Sequence, residues 1–295
     1  MINGLMANGL WYFNSPPPFT FSFTFTNAGA TGRTGPTSTA LTDPSGYNSI
    51  YPGVGTPNAL TITGGIQYWT VPASGLYLII AAGARGGNSD PSYPPGSGII
   101  VSNQVTFTNG QIIKILVGQH GIDGANGTGG GGGTFITTDT NSILLIAGGG
   151  SGSTYKSQGS NGVTTAGSGN GGISGGVISG GGGGYTTSGE NGTASTGGES
   201  YINGGAGGNG TISSSSGGFG GGGGSGGDTM TTGTFPAKGK GGGGGYTGGN
   251  VSQGGSSYDS TNSIGNYNAT KYTQNVNGKI NGNNNDDGFV IITKL

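Results

Sequence analysis

The 295-residue sequence contains no cysteine, so it can build neither a disulfide framework nor a thiolate metal site. Charge is almost as scarce: 9 Lys and Arg against 10 Asp and Glu leave a net charge of −1. Such a chain has no broad field with which to attract nucleic acid or an anionic membrane, and neither is expected as a partner. No apolar window reaches the roughly 18 residues that a membrane-crossing helix needs, so no membrane insertion is expected. The opening "MINGLMANGLWYF" has no Lys or Arg before Arg33, and Asn3, Gly4, Asn8 and Gly9 interrupt it, so it does not read as a secretory signal. Assembly in the cytoplasm is therefore expected, followed by residence in a virion or on an extracellular surface.

What the sequence does have is glycine: 76 residues, against 13 tyrosines and 10 phenylalanines. Low hydrophobicity combined with high net charge marks disorder, and here the net charge is close to zero, so only half of that signature is present. The glycine is concentrated at 148–249, in runs such as "GGFGGGGGSGG" (Gly217–Gly227) and "GKGGGGGYTGG" (Gly239–Gly249). Consecutive glycines and a lone Pro236 exclude collagen, which needs glycine at every third position with abundant proline. The P-loop pattern, which adds Lys-Ser/Thr after its last glycine, is absent. Two GxSxG matches, at Gly172–Gly176 and Gly223–Gly227, lack the preceding strand and following helix of a nucleophile elbow. Two readings stay open: a flexible tether, or an ordered bundle of three-residue-per-turn glycine helices whose backbones hydrogen-bond sideways.

Before this region the pattern is that of β-strands. "FTFSFTFT" (Phe19–Thr26) places Phe19, Phe21, Phe23 and Phe25 on one face. Strand-like runs follow at 59–63, 66–71, 76–84, 98–107, 111–118, 133–138 and 142–149, separated by Gly, Pro, Asn or Asp. "TNG" (Thr108–Gly110) reads as a hairpin turn. "DDGFVIITKL" (Asp286–Leu295) returns to strand composition and is expected to pair back into the earlier sheet. The fold class is therefore all-β, an antiparallel sandwich or jelly roll over 19–147 completed by 286–295. Residues 1–18 form an N-terminal arm, 148–250 an insertion and 251–285 a polar connection.

Candidate chemistry is thin. His120 is the single histidine; with Asp123 it suggests a Ser-His-Asp arrangement, but a lone histidine in a turn is more often structural. Asp286 and Asp287, next to Asn283, Asn284 and Asn285, offer oxygen ligands without calcium-loop spacing, and read as a polar loop before the last strand. Hence no catalytic residue, metal ligand or cofactor is nominated. Tyrosines in polar surroundings, foremost Tyr185, Tyr201, Tyr246 and Tyr258, are candidates to stack on a glycan or anchor a partner; filling the seam between glycine segments and sandwich is the equally physical alternative. Trp11, Tyr12 and Phe13 mark the arm, which either docks on a neighbouring subunit or caps its own sandwich.

The ordered succession "FTFTNAGATGRTGPT", "GIQYWTVPASGLYLIIAAGARGG", "ILVGQHG", "GGGGGTFI", "LLIAGGGSG", "GGFGGGGGSGG" and "GGGGGYTGG" resembles the extracellular glycine-rich domain of the anaplastic lymphoma kinase and leukocyte tyrosine kinase receptors. The resemblance implies a tumour-necrosis-factor-like jelly roll with an inserted bundle of polyglycine II helices. Ala28 stands where those receptors have a cysteine, and no kinase-like segment is present, so cytokine binding is not carried over. Similar modules in microbes, large DNA viruses and phages are associated with surface display or attachment. The expected function is thus a non-enzymatic structural and adhesive protein, a capsid-associated, spike or fibre component. Its expected partners are further copies of itself, in trimers, and other structural proteins of the particle. The alternative is a module on a microbial surface or phage tail tip that recognises a host glycan or receptor.

Overall fold

The computed structural model describes residues 5–7, 10–12, 21–38, 60–211, 215–226, 239–260, 283–284 and 286–295. Its strands run from 2 to 10 residues, and beside them the described residues hold a 3-10 turn at Tyr201–Asn203 and single 3-10 positions at Ser38 and Ser215.

The alternating phenylalanines act as their spacing predicts. Phe21, Phe23 and Phe25 are all buried, the last two in strand β3 (Ser22–Phe25); Phe19 lies outside the described residues. β3 joins β6 (Gly75–Ala82), β7 (Gly98–Phe107), β12 (Asn283–Asn284) and β13 (Phe289–Lys294) in a five-stranded antiparallel sheet of order β12-β7-β6-β13-β3. The chain's last strand is therefore interior to this sheet: Val290 sits between Phe25 on one side and Ala81 on the other. The second sheet holds β4 (Leu60–Thr63), β5 (Ile66–Thr70), β8 (Ile112–Leu116), β9 (Thr134–Thr138), β10 (Ile143–Ala147) and β11 (Tyr258–Asp259), in the order β11-β10-β9-β8-β5-β4. Two antiparallel sheets facing one core make a jelly-roll-like sandwich. Phe21 stacks on Trp69 at 5.1 Å, and Phe25 and Phe107 meet the same indole edge-on at 5.9 and 6.1 Å.

"TNG" forms a turn, with Gly110 at φ +80° and the Gln111 N–H bonded to Thr108 O at 3.1 Å, but the hairpin expected there does not form. β7 pairs along its length with β6, while β8 pairs with β5 and β9, so this turn carries the chain from one sheet to the other. The first two described strands, β1 (Leu5–Ala7) and β2 (Leu10–Tyr12), pair only with each other, Met6 opposite Trp11 and Leu5 opposite Tyr12.

From Ile115 and Leu116 of β8 across β9 and β10 the sheet is buried on both faces, in keeping with the apolar run "ILLIA" of β10, while Ile112 and Lys114 at the start of β8 stay partly open. Ile113, Ile115, Ile136 and Leu145 face the sandwich core. Leu116, Phe135 and Ile146, the alternate residues, face a second cluster with Tyr201 and Phe219 from the glycine-rich part. Glycine segments therefore form a third layer on this sheet.

Within that layer, successive amides of one run donate to different neighbours and return to the same one at the third step. Gly130 donates to Gly223 O, Gly131 to Gly150 O, Gly132 to Gln119 O, and Gly133 again to the first run, at Gly220 O. Gly180 and Gly183 both donate to the run at 221–224, Gly242 and Gly245 to that at 180–183, and Gly149 and Gly152 to that at 241–244. Backbones approach so closely that side chains have no room: a Cβ on Gly130 would sit 2.0 Å from Gly242 O, and one on Gly244 2.0 Å from Gly220 O. Since every amide from Gly217 to Gly224 is hydrogen-bonded to backbone, amide exchange there should be at least about a thousandfold slower than in unstructured chain. Complete exchange within seconds, read by mass spectrometry, would show a tether instead.

Candidate functional site

The two "GGGGGYT" segments, 180–186 and 241–247, explain how the tyrosines are placed. Each glycine run crosses the layer as bare backbone, and its first side chain of any size is the tyrosine that ends it. Tyr185 and Tyr246 are tied by the Tyr185 N–H to Tyr246 O bond of 2.8 Å. Tyr201 enters from the 3-10 turn, and Tyr258 from β11, where it pairs with Ile146.

The four rings line up with Phe135 into one aromatic row. Phe135 and Tyr201 stack at 5.0 Å, Tyr201 and Tyr185 at 5.5 Å, Tyr185 and Tyr246 are tilted at 6.4 Å, and Tyr246 and Tyr258 at 4.5 Å. Tyr201 is 3% exposed and shares a 2.8 Å hydroxyl bond with Thr137 on β9. The Tyr185 hydroxyl donates to Asn141 O, in the turn between β9 and β10. Burial pushes the Tyr201 hydroxyl up to about 12 despite its bond to Thr137, and burial followed by the nearby Tyr246 raises that of Tyr185. Both phenols therefore stay neutral, and the row holds the glycine layer against the sheet. Tyr201 is closed to an outside partner; Tyr185, Tyr246 and Tyr258 are half-buried.

The other sequence candidates are drawn into structural contacts. Both oxygens of Asp123 accept from Arg85, at 2.7 and 3.0 Å, and Oδ1 also accepts the Asn88 N–H at 2.7 Å. Burial alone would raise the Asp123 carboxyl, but the Arg85 hydrogen bond, the Asn88 N–H and the Arg85 charge hold it below the usual range. The Nδ1 of His120 meets its neighbour Gly121 O at 2.8 Å, so the hydrogen bonds of His120 and Asp123 do not form the imagined triad. Asn284 reaches Gly83 O at 2.8 Å and also bonds the carbonyls of Asp286 and Asp287. Trp11 and Tyr12 lie in β2, and Phe13 falls outside the described residues.

Asp287, just before the last strand, accepts the His120 N–H and the Asn27 side chain, both at 2.7 Å. Burial holds its carboxyl above the usual range, the His120 N–H offsetting part of that. The folded chain therefore binds this proton more tightly than the unfolded one. The group's favourable contribution is complete below the unfolded-state pKa and is lost as pH rises through the folded-state value. Between about pH 3 and about pH 7 the urea midpoint of the natural chain should fall relative to that of Asp287→Asn; a constant difference would count against the burial argument.

No family model matches the chain. Over 126 residues it is 35% identical to the leukocyte tyrosine kinase receptor of Mus musculus, a stretch that is 42% of this chain and 12% of the receptor. The chain thus corresponds to a small part of that relative's length, in agreement with a related glycine-rich region. No helix among the described residues is long and apolar enough to cross a membrane.

Proposed function

We propose that the protein is a non-enzymatic display and attachment module, carried by a virus particle as a capsid-associated, spike or fibre component and assembled with further copies of itself. The observation that carries this reading is the three-residue recurrence of backbone hydrogen bonds, which supports polyglycine II helices in the third layer. A layer whose polar groups are spent on one another, and whose side chains are mostly hydrogen atoms, offers little to catalysis and much to rigidity. The N-terminal arm, with Trp11 and Tyr12 on a hairpin paired apart from both sandwich sheets, supplies a segment for contact between subunits. Quantitative mass spectrometry and immunogold labelling of purified particles test this. A fixed ratio to the other structural proteins is expected; recovery in the soluble fraction alone would overturn the particle role.

The part-length similarity to a receptor favours a second reading, a recognition module on an exposed surface. On that reading the platform is the same, and its value lies in what a rigid surface holds in place.

A further inference from the structure

On the side of the molecule where the loop after β6 meets the glycine-rich segment, a cleft of about 460 Å³ opens between Arg85, Asn88, Pro94, Pro95, Gln158 and Asn161. Its size falls within the roughly 300–1,000 Å³ of small-molecule sites. The aromatic row lies elsewhere, and none of its rings lines the cleft.

The walls are fixed by backbone. Gly159 N–H donates to Pro94 O at 3.0 Å and Gly96 N–H to Ser151 O at 2.9 Å. The Asn161 Oδ1 accepts the Ser97 N–H at 2.9 Å. A Cβ on Gly96 would lie 1.9 Å from Ser160 O, so the two strips of chain are in direct contact. Two prolines, each with φ set by its ring, complete a wall that needs no ordering when a ligand arrives.

The chemistry of the lining selects the ligand. Its one charged residue, Arg85, is paired: Nη1 donates to Asp123 and to Gly86 O and Nη2 to the second oxygen of Asp123, so the charge is answered while Nε and one Nη2 hydrogen stay available as donors. The Lys240 ammonium is engaged by Ser157 Oγ at 3.0 Å and Gln158 O at 2.7 Å. An anion would find its charge already answered. Beside those guanidinium hydrogens stand three carboxamides. Asn88 and Asn161 each spend the oxygen on a backbone N–H, of Asp90 and Ser97 respectively, and so keep an NH2 to donate. Gln158 is exposed and adds a donor and an acceptor side by side. Neutral amide groups facing a pair of proline rings match a molecule with hydroxyls on its edges and C–H groups on its faces.

We propose that this cleft binds a neutral sugar unit of a glycan, the carboxamides bonding its hydroxyls and Pro94 and Pro95 receiving its apolar face. The assignment rests on the recognition reading and names its ligand class and its place; the platform role stands without it.

The test uses the full chain. It is applied to an array of neutral and sialylated glycans, and free glucose, galactose, mannose and N-acetylglucosamine are titrated by saturation-transfer NMR. Gln158→Ala removes an exposed carboxamide, and Asn161→Asp keeps the acceptor for Ser97 while removing the donor. Saturable binding of neutral glycans is expected, weakened about tenfold by either variant, each folding with an unchanged melting temperature. Raising the salt concentration tenfold should leave the affinity unaltered, since no charge is engaged. No saturable binding to any glycan would overturn the assignment. So would a preference for sialylated glycans that salt abolishes. Glycan binding indifferent to both variants would leave the protein a recognition module and overturn the cleft as its site.

Discussion

Replacing Gly132 with alanine is expected to destabilise the protein by more than about 4 kcal/mol, enough to lower its melting temperature by about 10 °C or to prevent folding. The added Cβ would lie 1.7 Å from Phe219 O, a backbone atom with no rotamer to escape into. That oxygen already accepts the Gln119 N–H at 2.8 Å, and Gly132 itself donates to Gln119 O at 2.9 Å and accepts from Ala84 at 2.9 Å. Moving Phe219 away breaks its bond to Gln119 and pulls on the neighbouring Gly133 to Gly220 bond. Moving Gly132 breaks the other two. Each buried backbone group left unpaired costs on the order of 1–3 kcal/mol, so no relaxation avoids several of these at once. Gly175→Ala is the control: φ is +63°, but nothing lies within 4 Å, so only the strain of a left-handed alanine, about 1–2 kcal/mol, is expected. Urea denaturation of both variants decides the matter. If Gly132→Ala fell within about 1 kcal/mol of the natural chain, the glycines would not be there to let backbones touch.

The same contacts explain how so much glycine is ordered at all. Fixing a glycine costs more backbone entropy than fixing any other residue, and little apolar burial is available inside the layer to offset it. The offset comes from hydrogen bonds in several directions per run and from docking of the whole layer on β8, β9 and β10 through Tyr201, Phe219 and their neighbours. Stability of the layer therefore depends on the sandwich beneath it, and the two should unfold together.

Much of the sandwich was legible in the sequence because its signals are local. The period-two phenylalanines located β3, the bounds of β7 agree with the run at 98–107, and the apolar tail ending at Leu295 did return to the sheet. "TNG" was legible as a turn, but turn chemistry is silent on whether the next strand joins the same sheet, and β8 had better partners in β5 and β9. The sequence has Asn-Gly between the β1 and β2 runs, a two-residue hairpin signal, and those two strands pair antiparallel. For the tyrosines, flanking Ser, Thr and Gly suggested exposure as strongly as burial. Once those flanks are backbone packed against backbone, Tyr201 is interior although no apolar residue precedes it in the chain from Gly197 to Ser200. Asp123 and Arg85 lie 38 residues apart, and their pairing, which removes Asp123 from His120, has no sequence signal.

Phe219 tests the junction between layer and sheet most directly. It is the one large side chain in "GGFGGGGGSGG", and it is 2% exposed. Its ring fills the space beside Gly35 and Gly65, where added Cβ atoms would lie 2.5 and 2.6 Å from ring carbons, and it packs in one cluster with Leu116, Phe135, Ile146 and Tyr201. Its N–H donates to Gly32 O at 2.7 Å, so the residue also anchors the N-terminal loop to the glycine layer. Phe219→Ala should cost about 3–5 kcal/mol, toward the upper end, because the surroundings cannot collapse into the cavity. Backbone at Gly35 and Gly65 lines one side, the sheet another, and the glycine runs are held in place by their own hydrogen bonds. The resulting void is apolar and ring-shaped, so benzene should raise the melting temperature of the variant and leave that of the natural chain unchanged. A loss below about 1 kcal/mol, or a large loss that benzene does not reverse, would mean that the ring is not what holds the layer on the sheet.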